Sequence, residues 1–252
     1  MFLRWINRFA AVLICLFLCA SCISKNAGRG YLIGIDPNWY SVDLMGKEKS
    51  VYAFSNELLQ EIAKKNSMKI STLQMNWDNL MPGLEIGQCD AILSSLYPYL
   101  FNKKKYDFSD NYLNTGPVLV MPYNAKETSL DKLQGKEIAV QEDSSDADFL
   151  ETHPGILIRT YDTVPHALND IVKGNLDGAL VNVLIAESFC QDLYHGQLKI
   201  VSPPLNDAGL RLVTLHGHAP ALIKSFNKDL KELMHSGAYK KLQKKWGLSE
   251  ED

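Results

Sequence analysis

Asp36 closes the apolar run "GYLIGID" directly before Pro37. A carboxylate at the carboxyl end of a strand can accept a hydrogen bond from a bound donor, or it can cap the turn that the proline begins. Ser144 and Ser145 open a helical pattern, where free backbone N–H groups welcome an anion. Asp143, Asp146 and Asp148 crowd the same turn, where they complement the helix dipole or, facing a cleft, repel a carboxylate. Lys103, Lys104 and Lys105 form a run beside "YDFSDNYL" that reads as a solvated charged face, with a ligand-facing lysine as the alternative. His216 and His218 are too few for a metal site and read as a surface loop. No G-x-S-x-G, H-E-x-x-H or phosphate-binding glycine loop occurs, so no catalytic residue, cofactor or metal is assigned.

The elements that must position these groups follow from periodicity. "GYLIGID" has the length of a buried strand, and "FSNELLQEIAKK" places Phe54, Leu58 and Ile62 on one helical face with Ser55 as its cap. "MKISTLQM" is a second strand; Leu80, Met81 and Leu84 form a helical stripe that Gly87 can end, and "CDAILSSL" returns to strand. The second half repeats the plan, with strands "KEIAVQ" and "ILIRTY", helices from "SSDADFLETH" and "VPHALNDIVK", and a strand at "DGALV". "GQCDAIL" (87–93) and "GNLDGAL" (174–180) both read G-x-x-D-small-x-Leu after an amphipathic helix, an echo that points to two similar α/β lobes. Two basic amphipathic helices, 220–235 and 237–246, end the chain. Such alternation implies an α/β fold of mostly parallel sheets with flanking helices.

With 252 residues, 46% of them hydrophobic, the chain can bury one large core or two lobes. Residues 1–22 stand apart: Arg4 and Arg8, an apolar run from Phe9 to Ala20, and the small residues before Cys22 have the layout of an export signal. The apolar run is too short to span a bilayer comfortably. The formal charge of −3 becomes more negative once Arg4 and Arg8 leave with this leader, which argues against nucleic acid as a partner. Only Cys89 and Cys190 remain beyond it, in separate apolar neighbourhoods, and read as two buried free thiols.

"IGIDPNW", "ELLQEIAKKNSMKI", "WDNLMPGLEIGQCDAIL", "YDFSDNYL", "SLDKLQGKEIAVQEDSS", "VKGNLDGALV" and "HSGAYKKLQKKWG" occur in one order over residues 31–247. Together they resemble the extracytoplasmic solute-binding proteins of ABC importers, in the family 3, polar-amino-acid group that is glutamine- and arginine-binding-like. The resemblance implies a two-lobed periplasmic-binding-protein fold with two hinge strands and a ligand between the lobes. It places lobe 1 at 30–117 plus 206–252 and lobe 2 at 118–205. It implies capture of a small polar solute, presentation to an ABC permease, and periplasmic or cell-surface localisation. The leader is similar to a lipoprotein signal in which Cys22 becomes the lipidated membrane anchor. Cys19, behind Leu18, stands where such signals carry Leu. A cleaved soluble form and, after it, an uncleaved anchor are the alternatives.

The resemblance also implies two charged clamps for a free amino acid, and here both are amides. The arginine position before the D-F-S-D run holds Asn102, and the aspartate position after G-x-x-D holds Asn182. No arginine lies between Arg29 and Arg159, so no small gap restores one. Trp39 and Trp77 match positions where rings sandwich the ligand, and Tyr97 replaces a small hydroxyl residue; core packing is the alternative for each Trp. The expected ligand-binding set is Asp36, Trp39, Trp77, Ser94, Ser95, Tyr97, Asn102, Ser144, Ser145 and Asn182. Loss of both clamps leaves the pocket's charge balance intact and points to an amino acid held weakly or to a ligand with different ends, such as a blocked amino acid or short peptide, while acids facing the cleft would favour a neutral or cationic solute. The competing classes on the same fold are a dehydratase-like enzyme and a sensing module.

Overall fold

The computed structural model describes residues 30–249 except 41, 43, 127, 128, 143 and 145. The expected export signal with Cys22, and Asp143 and Ser145, lie outside the described residues. No helix among the described residues is long and apolar enough to cross a membrane.

The chain begins with strand β1 (Tyr31–Ile35), whose last three residues are fully buried. Helix α1 (Glu48–Lys65) follows and buries Val51, Phe54, Leu58 and Ile62 along one face. It starts seven residues before Ser55, because Val51 extends the apolar stripe backwards by one turn. Ser55 is therefore no cap; it sits inside the helix, buried, with its Oγ 2.9 Å from the Tyr112 hydroxyl. Strand β2 (Ile70–Gln74), helix α2 (Trp77–Glu85) and strand β3 (Ala91–Ser94) complete two parallel crossovers. A single-turn helix α3 (Leu100–Lys103) and strands β4 (Tyr106–Phe108) and β5 (Leu113–Asn114) lead out of this unit.

The second unit contains β6 (Pro117–Pro122), β7 (Glu137–Gln141), α4 (Asp146–Glu151), β8 (Leu157–Tyr161), α5 (Val164–Val172), β9 (Gly178–Asn182), α6 (Val183–Gln191) and β10 (Leu198–Ile200). The chain then returns as β11 (Gly209–Leu215), α7 (Pro220–His235) and α8 (Ala238–Lys245). The first sheet has the order β2-β1-β3-β11-β4, with β5 beside β11, and the second β10-β6-β9-β7-β8. Pro117 pairs with Asn182 and so already belongs to the second sheet.

The sheets are mixed, not mostly parallel. β1, β2 and β3 run parallel, as do β7, β8 and β9. β11 is antiparallel to β3, β4 and β5, and β6 is antiparallel to β9 and β10. The reason is the crossing itself. β6 and β11 are entered directly from the other sheet, so they start at the end where β9 and β3 finish.

The echoed G-x-x-D has one physical role in both units. Asp90 N–H donates to the Leu32 carbonyl while its carboxylate accepts Leu32 N–H, both at 2.8 Å. Asp177 does the same to Glu137, at 3.0 and 2.9 Å. Each aspartate thus clips the strand that follows it to a parallel neighbour, β3 to β1 and β9 to β7.

Candidate ligand-binding cleft

In an open α/β sheet, ligands gather beyond the carboxyl ends of the strands, and two sheets facing each other enclose that space. Here a cavity of about 450 Å³ is lined from both units. The loop after β3 contributes Ser95, Tyr97 and Tyr99; the outgoing crossing contributes Thr115 and the returning one Asn206 and Gly209. From the second unit come Gln141, Glu142 and Ser144 after β7, Asp146 at the start of α4, Asn182 at the end of β9 and Ile185 on α6. Two other depressions, of about 510 and 660 Å³, are each lined from one unit alone, around Glu85, Asp90 and His218 in the first and around Cys190, His195 and Lys199 in the second.

Of the expected residues, Ser95, Tyr97, Ser144 and Asn182 meet in this cavity. The Asn182 side chain also accepts Leu184 N–H at 3.0 Å, which caps α6, and Ser144 Oγ donates to the Gln141 carbonyl at 2.7 Å. The remaining described residues are turned inward. Asp36 is buried and its two carboxylate oxygens accept the N–H groups of Asn38 (3.0 Å) and Tyr40 (3.1 Å), so it builds the turn after β1. Trp39 is 1% exposed and packs in the core with Ile35, Leu44 and Phe54. Its indole N–H is buried and meets no acceptor among the described residues. Trp77 is half-buried against the cluster of Met75, Leu80 and Leu84. Ser94 is buried with its Oγ accepting Leu96 N–H at 3.1 Å. Asn102 folds back, its amide donating to the Tyr97 carbonyl at 2.8 Å. A short amide at that position is satisfied by its own loop and does not reach the cavity.

The lysine run lies outside the cleft. Lys103 and Lys104 are exposed, and Lys105 pairs with Glu85 at 2.6 Å. His216 sits 2.8 Å from Asp107 in an exposed pair, and no cluster of three metal-ligating side chains occurs among the described residues. Cys89 is buried and Cys190 half-buried, both free; burial pushes both thiols up, Cys190 to about 11.

Several cleft residues were not anticipated as ligand-facing. Tyr99 stands two residues beyond Tyr97, its ring 4.6 Å away, and stacks in turn on Phe101 at 5.4 Å. Glu142 adds a second acid on the second unit's side beside Asp146, for which facing the cleft is one of two expectations, and burial raises the Asp146 carboxyl from its ordinary value. Beside the cleft lies Arg211, which restores an arginine to the first unit from the returning strand. Its register opposes Ser94, and its guanidinium carbon stands 5.9 Å from the Tyr97 ring centroid. A lone arginine within "AGLRLVTL", a strand otherwise buried, was the available signal, because a charge there must find a partner.

The profile of the bacterial extracellular solute-binding proteins, family 3, matches residues 31–249. The chain belongs to this family. Its relatives include the probable amino-acid-binding protein YxeM of Bacillus subtilis (strain 168), 30% identical over 94% of this chain and 92% of that one. The arginine-binding extracellular protein ArtP of the same organism is 25% identical over 98% and 99%. The L-cystine solute receptor of Neisseria gonorrhoeae, solved in an unliganded open conformation, superposes with a TM-score of 0.70 at 20% identity, covering 87% and 93%. The latter likeness shows the shared two-lobed fold. The family is described as solute-binding, and the relatives named here are binding proteins.

Proposed function

We propose that this family 3 protein is the extracytoplasmic binding component of an ABC importer, which captures a free amino acid between its two lobes and presents it to a permease. One observation carries the reading: the 450 Å³ cavity is walled by strand ends of both sheets and mixes hydroxyls, amides and two aromatic rings with the acids Glu142 and Asp146. Its size lies within the range of small-molecule sites, roughly 300 to 1,000 Å³. The acids favour a ligand with an ammonium group and a neutral or cationic side chain, and Tyr97 and Tyr99 offer faces for a flat or cationic portion.

The mechanism is thermodynamic. A ligand seated on one lobe gains contacts with the other only when the cleft shuts, so it stabilises the closed state by that differential affinity. The lobes in this reading are 30–116 plus 206–252 and 117–205, with Pro117 moved to the second lobe by its pairing with Asn182, and the hinge is the pair of crossings between them. Attachment to the membrane is through lipid on Cys22, supported by the basic start, apolar run and small residues that precede it.

A thermal-shift screen of the mature domain against free amino acids, short peptides and polyamines tests the reading. A micromolar ligand, worth about −8 kcal/mol, present at a hundred times its Kd stabilises the fold by about 2.7 kcal/mol. For a chain of this size that raises Tm by roughly 5 to 10 °C. Shifts confined to amino acids support the assignment; a screen in which only peptides or polyamines act, or nothing acts, refutes it.

A further inference from the structure

We propose that Arg211 receives the carboxylate of the bound amino acid, and that Asp207 occupies that place while the cleft is empty. This rests on the amino-acid reading above and names the anion-binding group of the same site.

The Arg211–Asp207 pair is asymmetric. The arginine side chain is 3% exposed, whereas that of its aspartate partner is 66% exposed. A charge taken out of water is costly unless it stays paired, whereas an exposed charge needs no partner. Here one member is buried and obliged to keep a carboxylate beside it, and the other can return to water at little cost. Replacing Asp207 with a ligand carboxylate exchanges like for like and leaves the buried charge paired throughout.

The position fits such an exchange. Arg211 Nη1 donates to the Gly209 carbonyl at 3.4 Å and Nη2 to the Asp207 carbonyl at 2.7 Å, with the Asp207 carboxylate held by the same Nη2. Gly209 and Asn206 are cleft wall, as is Tyr97, over which the guanidinium lies. The guanidinium is thus one layer behind the wall. Two acids and no lysine or arginine are present among the residues that form that wall. An amino acid zwitterion drawn from water requires a cation for its carboxylate, and a planar guanidinium offers a two-pronged grip.

Asn111 Nδ2, between β4 and β5, donates to the free carboxylate oxygen of Asp207 at 3.3 Å and to the Asp207 and Ala208 carbonyls at 3.5 and 3.3 Å, so this segment stays tied to the returning crossing when the Asp207 carboxylate leaves.

Calorimetry compares each proteinogenic L-amino acid with its C-terminal carboxamide on three proteins: wild type, Asp207→Asn and Arg211→Lys. In the wild type the carboxamide binds at least about tenfold more weakly than the acid. Asp207→Asn removes the competing charge and tightens the acid roughly tenfold with no gain for the carboxamide. Arg211→Lys weakens the acid while leaving the carboxamide unchanged. Equal binding of acid and carboxamide by the wild type overturns the role of Arg211, requires no variant to fold, and leaves the proposed function standing. An Asp207→Asn protein with wild-type affinity for the acid overturns the exchange. Absence of binding by both series refutes the proposed function, and this proposal with it.

Discussion

Trp39 enters the left-handed backbone region, with φ of 50°, to place its indole in the core beneath the cleft. That conformation costs a side-chain-bearing residue about 1–2 kcal/mol, so burial of the large ring must offset it. A tryptophan four residues after a strand end carries no mark that tells a cleft wall from a core. The direction of its side chain depends on that one backbone angle. Asp36 and Ser94 show the same limit, since short polar side chains at strand ends bond equally well to a ligand or to the next turn, and here they chose the turn. Asp146 allows a test at this scale. Burial raises its carboxyl, so the folded state holds that proton more tightly than the unfolded chain does. Its contribution to stability is largest below the ordinary carboxylate range and is lost as pH rises through the raised value. An ammonium ligand beside Asp146 prefers the ionised form, so its affinity rises with pH over the same window and binding releases a proton. Calorimetry in buffers of different ionisation enthalpy reads this directly; a pH-independent affinity in the wild type contradicts the placement of the ammonium.

The elements themselves were legible because burial period is a local property. The Phe54, Leu58, Ile62 stripe, the Leu80 and Leu84 stripe and the apolar strand runs all became the elements expected of them. The closing helices did so too, and Glu57 ties the second of them to α1 through Lys245 Nζ at 2.7 Å and Trp246 Nε1 at 2.9 Å. What periodicity did not carry is the direction of β6 and β11, since strand sense depends on the route between sheets. The crossings pack closely at Gly209, where an added Cβ would come within 2.5 Å of the Leu113 carbonyl and strike the Asn111 side chain as well. Gly209→Ala should therefore destabilise the fold by about 1–3 kcal/mol and weaken ligand capture, as read by urea unfolding and calorimetry. A stability within experimental error of the wild type shows that the hinge relaxes freely at this point.

At the scale of the whole molecule, two small mixed sheets share one cleft, and among the described residues only Leu184 of α6 joins the first unit's core from the buried apolar residues of the second. So little shared core suits lobes that move against each other. Attachment belongs to this scale as well: Cys22→Ala should shift the mature protein from the membrane fraction to the soluble fraction, and undiminished membrane retention rejects the lipid anchor. The amino-acid sequence alone determined the two α/β units, the family and the presence of a cleft, because apolar periodicity and an ordered series of short motifs are written along the chain. Only the tertiary structure decided which side chains face that cleft. Arg211 comes beside Tyr97, and Asn102 folds back on its own loop, through strand pairing and side-chain rotation, and neither is encoded in the spacing of nearby residues.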